Sequence, residues 1–202
     1  RKENLEIIHN SGEHLLNLIN DILDMSKIEA GKISFQENSF DLHHLLHSLI
    51  DLFEIKASGK SLELALSLAA DLPQYISTDE SKLRQVLINL LSNAIKFTLE
   101  GKVTLSAGVA EIFLSHPLSP HSHFPTTTII FAVEDTGAGI ADEDIYSIFQ
   151  PFVQSSTGIK SLSGTGLGLP ISQKFIHLMG GELNVTSTPN KGSIFHFSIP
   201  VR

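Results

Sequence analysis

The apolar residues hold one helical period up to Gly31 and alternate between two periods after it, and that change constrains what class of fold the chain can form. Leu5, Ile8, Leu15, Ile19 and Ile22 keep heptad spacing from Leu5 to about Ile28, with Gly12 where a further apolar residue would fall. Leu16, Leu18 and Leu23 widen the stripe beyond a two-stranded seam, which suits a helix packed in a bundle. An amphipathic helix folded onto its own domain would show the same spacing. Gly31 predicts the stop. Beyond it, short runs of period two are interleaved with helical runs, which is the pattern of an α/β domain. We therefore expect a long bundle helix in residues 1–31 and one larger domain in residues 32–202.

Within that domain Ile33 and Phe35 read as a short strand, Asp41 as the cap of a helix to about Lys56, and Leu62 to Leu68 as a strand. Asp79 reads as the cap of a helix carrying Leu83, Val86, Leu87, Leu90 and Leu91 on one face and running to Phe97. Strands are expected at Val103 to Phe113 and Ile129 to Glu134, then a short helix near Asp142 to Ile148 and a polar stretch from Gln150 to Ser163. Gly164 to Gly168 opens a helix through Met179, Gly180-Gly181 ends it, and strands at Glu182 to Ser187 and Ser193 to Ile199 follow. The expected fold is a two-layer α/β (α+β) sandwich, a mixed β-sheet packed against three helices. Between the middle strands, Ser115 to Thr128 holds three prolines with His116, His121 and His123. Three imidazoles can bind a metal, but with no acidic or Cys partner and no rigid spacing the segment reads as a surface insertion.

With 202 residues, 42% of them hydrophobic, the chain can bury a real core. Its formal charge of -8 argues against a nucleic-acid partner. The absence of cysteine excludes disulfides and thiolate metal sites and fits a reducing compartment, the cytoplasm by default. No apolar run approaches the roughly 18 residues of a membrane span, so no membrane contact is expected of this segment. It starts in mid-helix pattern without Met, like a piece of a longer chain, which leaves room for upstream sensor or membrane segments.

Three constellations carry chemistry. In Asn89-Leu-Leu-Ser-Asn93-Ala-Ile-Lys96-Phe97 two amides and an ammonium recur at spacings of four and three, hence on one helix face. An amide carbonyl is a hard neutral ligand suited to Mg²⁺, which keeps waters and phosphate oxygens in its octahedron. A Lys one turn on can meet phosphate as a point charge; a solvated polar face would look alike. In Asp135-Thr-Gly137-Ala-Gly139-Ile140 a carboxylate leaves a strand end beside glycines that permit close backbone approach, and it can accept from the exocyclic amine of adenine. An ordinary strand-to-helix turn uses the same residues. In Gly164-Thr165-Gly166-Leu167-Gly168-Leu169 backbone N–H groups gather at a helix start, an anion site for which triphosphate is the natural guest. The pattern follows a loop rather than a strand and lacks Gly-Lys-Ser/Thr, so it is neither a dinucleotide crossover nor a Walker loop.

The ordered set NLLSNAIKF, DTGAGI, Phe149-Gln-Pro-Phe152 and GTGLGL resembles the N, first glycine, F and second glycine boxes of sensor histidine kinases, within the wider gyrase, Hsp90, kinase and MutL ATP-binding group. The resemblance covers about Phe40 to Val201, and LINDILDMSKIEAGKI looks like the end of the second helix of that family's dimerisation and phosphotransfer domain. It implies ATP and Mg²⁺ as ligands, with Asn93 on the metal and Asn89 and Lys96 at the phosphates as catalytic residues. It also implies Phe97 beside the base, Asp135 on the adenine amine, and Gly137, Gly139 and Ile140 shaping that pocket. Gly164, Thr165, Gly166, Leu167, Gly168 and Leu169 would cradle phosphate. Residues 153–163 would form an ATP lid hinged at Phe149 and Phe152, with Lys160 as a lid cation. The implied reaction passes the γ-phosphoryl to a histidine and thence to an Asp of a response-regulator receiver domain, in a parent that is a homodimer through its dimerisation domain.

The family's acceptor string, His followed by an acid and then Arg/Lys-Thr/Asn-Pro, does not occur in this sequence: His9 precedes Asn10-Ser11 and His14 precedes Leu15-Leu16. Both read as bundle-helix residues. Two alternatives remain, an ATPase of the same fold and a nucleotide-binding module without transfer. The ATPases carry Glu as general base where Asn89 stands, and an amide cannot take a proton.

Overall fold

Both aspartates read as helix caps act as caps in the computed structural model of the chain, which describes residues 2–110, 127–153 and 165–202, without the side chains of 2–10, 13, 14 and 17. Asp41 accepts the His44 N–H at 2.8 Å and starts α2 (Leu42–Ser58); Asp79 accepts the Lys82 N–H at 3.1 Å and starts α3 (Glu80–Phe97). Asp79 is buried and also accepts the Gln36 N–H at 2.9 Å and the Lys82 ammonium at 2.6 Å. Burial opposes its charge, but these donors outweigh burial and hold its carboxyl below the usual carboxylate range.

The expected two-layer sandwich is present. One sheet runs in the order β2 (Glu63–Leu68), β4 (Lys102–Val109), β5 (Thr127–Asp135), β7 (Gly192–Val201) and β6 (Glu182–Thr188), with only the β2–β4 pairing parallel. A small antiparallel pair, β1 (Asn38–Asp41) with β3 (Tyr75–Thr78), stands beside it. Alternate residues of the long central strands, Ile129, Phe131 and Val133 with Phe195, Phe197 and Ile199, point to one face, where Phe131 and Phe197 stack at 5.1 Å. That face is covered by the apolar stripes of α2, α3 and α4 (Gly168–Leu178). On α3 the stripe is Leu83, Val86, Leu87, Leu90 and Leu91, each withdrawn from water at roughly 1.5–3 kcal/mol. The opposite edge of α3 is thereby left to Asn89, Asn93 and Lys96.

The long α1 (Lys2–Glu29) ends as expected, with Gly31 in the left-handed region. Met25 and Ile28 pack against the core, whereas Leu15, Leu16, Ile19, Ile22 and Leu23 are exposed.

Three expectations differ from what forms. Ile33 to Phe35 is not a strand: Gln36 N–H is taken by Asp79 and Ser34 C=O by the Lys82 ammonium, so α3's first turn occupies the backbone groups a ladder would need, and the strand starts at Asn38. The short helix near Asp142 to Ile148 shrinks to a 3-10 turn at Ser147–Phe149, because the Asp144 C=O already receives the Ser147 and Ile148 N–H groups and the Ser147 hydroxyl. Thr127 and Thr128, read as loop, pair with Val201 and Pro200 in β5, and β4 ends at Val109. The end of the expected strand at Phe113 and the imidazoles of His116, His121 and His123 lie outside the described residues.

Candidate nucleotide site

The last two turns of α3, the C-terminal end of β5 and the start of α4 meet at one end of the sandwich. Asn89 joins two of them: its Nδ2 donates to Ser172 Oγ of α4 at 2.9 Å, and its Oδ1 accepts from Asn93 Nδ2 at 3.4 Å. This closeness needs glycine at 168, since a Cβ there would overlap the Asn89 amide. With its Nδ2 turned to Asn89, Asn93 keeps the carbonyl lobe of its amide for a hard cation, and a neutral oxygen of this kind fits a Mg²⁺ that arrives with phosphate. Among the described residues no group of three His, Cys, Asp or Glu side chains converges on a metal position.

One turn on, the Lys96 ammonium lies 4.7 Å from the centroid of the Phe97 ring. Burial, with Lys56 nearby, moves its pKa below the usual lysine range. The ring itself is half exposed, and the Phe97 carbonyl faces the Ala138 N–H of the loop after Asp135 at 3.5 Å.

Asp135 ends β5 with only 7% of its surface exposed. Burial raises its carboxyl above the usual range, even though the backbone N–H groups of Gly137, at 2.8 Å, and Ser193 both donate to it. The loop after it is braced from a direction the sequence did not advertise. Ile140 N–H donates to Ser187 Oγ at 2.8 Å, Asn190 N–H to Ala138 C=O at 2.7 Å, and Ser187 and Ser193 share a hydroxyl contact of 2.9 Å. Gly139 has φ +68° and lies against the Thr188 backbone, where a Cβ would collide. The β6–β7 hairpin thus holds the loop after Asp135 in place.

The second glycine stretch reaches the same end. Thr165 Oγ1 accepts the Leu167 N–H at 3.1 Å, and Leu167, the N-cap of α4, has no side-chain oxygen to offer the first-turn N–H groups of Gly168 and Leu169. Those groups suit an anion. Gly166 C=O receives the Phe152 N–H at 3.0 Å, which ties the exposed Phe152 to the loop; Leu167 is fully buried, and Ile140, Phe149 and Leu169 pack on the core. The Thr165 hydroxyl also donates to Asp21 Oδ2 of α1 at 2.9 Å, while Gln85 of α3 donates to Asp24 Oδ2 at 3.0 Å. Burial raises the Asp21 carboxyl, assisted by Asp24 and opposed by the Thr165 bond. Lys160 and Gly164 lie outside the described residues.

A mixed-sheet sandwich with this end is a known architecture. Residues 78–202 match the family described as Histidine kinase-, DNA gyrase B-, and HSP90-like ATPase, and the chain belongs to that family, in its sensor histidine kinase branch. Residues 1–31 match the His Kinase A (phospho-acceptor) domain. Over 96% of its length the chain is 41% identical to sensor protein GacS of Pseudomonas syringae pv. syringae, and over 100% it is 40% identical to sensor protein TorS of Escherichia coli (strain K12). It spans 20% of the length of each. Among solved structures, full-length ShkA in complex with AMPPNP superposes with a TM-score of 0.79 at 32% identity, over 100% of this chain and 39% of that one. The nucleotide-free catalytic domain of histidine kinase ThkA superposes at 0.63 and 28%, over 82% of this chain and 97% of that one.

Proposed function

We propose that this chain is the part of a sensor histidine kinase that binds Mg-ATP and presents its γ-phosphoryl to a histidine of the dimerisation domain, for relay to an Asp of a response-regulator receiver domain. The observation that carries the reading is the meeting of the Asn89, Asn93 and Lys96 face with the buried Asp135 and the uncapped start of α4. In this reading Asp135 accepts from the adenine amine, Phe97 lies beside the base, Lys96 and the first-turn N–H groups of α4 hold phosphate, and Asn93 ligates the metal. Mg²⁺ held by Asn93 would offset phosphate charge as it builds up during transfer. An acceptor imidazole nitrogen bonds to the γ-phosphorus as the bond to the β,γ-bridging oxygen breaks and ADP leaves; the protein's work is positioning and charge. The acceptor, the homodimer and the receiver belong to the parent, and we place this part on its cytoplasmic side; among the described residues no helix is long and apolar enough to cross a membrane.

Asn89 separates transfer from hydrolysis, because an amide bonded to Ser172 and Asn93 cannot act as a base toward water. Calorimetry tests the binding: ATP with Mg²⁺ should bind more tightly than GTP, and no detectable binding of ATP would sink the reading. Incubation with labelled ATP tests the chemistry. Acid-labile phosphate should appear on an added helical hairpin carrying the parent's acceptor histidine, and none on His9 or His14. Sustained release of free phosphate without that acceptor would favour the ATPase.

A further inference from the structure

We infer that Lys60 is a positioning residue for the nucleotide pocket, a cation that fixes the last turn of α3 and through it Lys96 and Phe97. The inference rests on the proposed function and deepens it. It starts from the carbonyls that end α3. A helix leaves its last four carbonyls without intrahelical partners, here those of Ala94, Ile95, Lys96 and Phe97. The Ala94 carbonyl receives the N–H of Thr98 at 3.1 Å and its hydroxyl at 2.7 Å, and the Phe97 carbonyl faces the Ala138 N–H at 3.5 Å. The two between them both go to Lys60, whose Nζ is 2.7 Å from the Ile95 oxygen and 3.0 Å from that of Lys96, with the Thr98 oxygen at 3.4 Å.

A cation at a helix C-terminus is favourable on two counts, because it meets the negative end of the helix dipole and makes charge-assisted hydrogen bonds. The ammonium is also aimed by its own backbone. Lys60 N–H and Leu62 N–H both donate to Ala57 C=O, at 2.9 and 3.0 Å, Ser61 between them takes φ +57°, and Leu62 is buried. The turn that ends α2 is thus clamped at its base and reaches across to the end of α3. Without Lys60 the Ile95 and Lys96 carbonyls lose these bonds and the exposed side of the turn that carries Lys96 and Phe97 loosens, while the buried stripe from Leu83 to Ile95 still holds α3 on the core. The effect therefore falls on nucleotide binding more than on folding.

The test compares wild type with Lys60→Met and Lys60→Arg by calorimetric titration of ATP and GTP, well below the melting temperature measured on the same samples. For Lys60→Met the Kd for ATP should rise about tenfold, equivalent to about 1.4 kcal/mol, and the ratio of GTP to ATP Kd should narrow as Phe97 shifts against Asp135. Lys60→Arg, which keeps a cation with donors, should restore most of both. A merely structural lysine would lower the melting temperature yet leave Kd and base preference of the folded protein unchanged. That result, or an Arg variant as weak as Met, overturns the inference. If Lys60→Met does not fold, Lys60→Gln replaces it and must bind ATP more weakly than Lys60→Arg; equal affinity overturns the inference too. Failure of wild type to bind ATP would remove the pocket and the inference together, whereas tight wild-type binding with an unaffected Met variant removes the role of Lys60 alone.

Discussion

Replacing Asp135 with asparagine changes one oxygen into an amide nitrogen at a site with 7% exposure, and the surroundings determine what this costs. The new side chain keeps one oxygen for the Gly137 N–H, now at 2.8 Å, but its NH₂ cannot accept from the Ser193 N–H or, in the proposed complex, from the adenine amine. A buried donor set against a donor costs about 1–3 kcal/mol, so ATP should bind roughly 5- to 150-fold more weakly. Folding should suffer much less. Burial already penalises the ionised carboxylate, as its raised pKa shows, so losing the charge offsets the unpaired Ser193 N–H. We expect a stability within about 1 kcal/mol of wild type, a shift of roughly 2–4 °C in Tm for a domain of this size. Acid should act on binding and stability with opposite signs: as pH falls through the raised pKa, protonation turns one acceptor oxygen into a donor and weakens ATP binding, whereas an acid with a raised folded pKa makes the fold more stable as it protonates. Asp135→Asn should lack both effects. Calorimetry with ATP and GTP at several pH values, beside thermal melts, decides the matter. A folded Asp135→Asn variant that binds ATP within about twofold of wild type would refute the assignment and the energetics beneath it.

Three shorter predictions concern the neighbouring residues. Asn93→Ala should fold normally and lose the strengthening of ATP binding by Mg²⁺, and an unchanged Mg²⁺ dependence in titrations would remove the metal role. Gly168→Ala should force its methyl against the Asn89 amide, costing about 1–3 kcal/mol in melts and weakening ATP binding; adding Asn89→Ala should relieve the stability loss, and failure of that rescue would show the contact is not the cause. Asp79→Asn should destabilise the fold by about 1–3 kcal/mol at neutral pH by weakening its bonds to the Lys82 ammonium and Gln36. Because the folded pKa of Asp79 is lowered, its stabilisation is present above the unfolded value near 3.9 and lost as pH falls through the folded one, so the two proteins should converge in acid; a constant gap would contradict the assignment.

What could be read in the sequence was whatever local chemistry determines. Asp41 and Asp79 announced α2 and α3 because an N-cap acts within three residues, and the 3.6-residue stripe of α3 fixed which side faced the sheet and so where Asn89, Asn93 and Lys96 would lie. Ile33 to Phe35 was misread for a reason local pattern cannot show. Its alternation is real, but Asp79 and Lys82, more than 40 residues away, take the backbone groups that a strand would pair. The strand at Tyr75–Thr78 was missed for a similar reason, being short and paired only with Asn38–Asp41 and, through Ser77, with the end of the chain at Arg202.

The same distinction runs through the site. Asp135, Gly137 and Gly139 stood out because strand-end carboxylates and glycines carry a local signal, but what holds them in place came from the hairpin 50 residues on, through a Ser187 hydroxyl that looks like any other strand serine. The pairing of Ser187 with Ser193 across the hairpin, with Ser193 buried, appears only in the folded chain. Lys60 gave no signal at all, since a lysine after a helix is usually solvated and its three carbonyl acceptors belong to another helix. Residues proposed to touch the ligand thus carry their chemistry in their own identity and spacing, whereas residues that aim them act through tertiary contacts and become visible only once the chain is folded. Thr165 belongs to both groups. Its place in the glycine stretch makes it a phosphate contact in the proposed complex, while its hydroxyl donates to Asp21 of α1, so in that complex an incoming triphosphate would compete with Asp21 for the same hydroxyl.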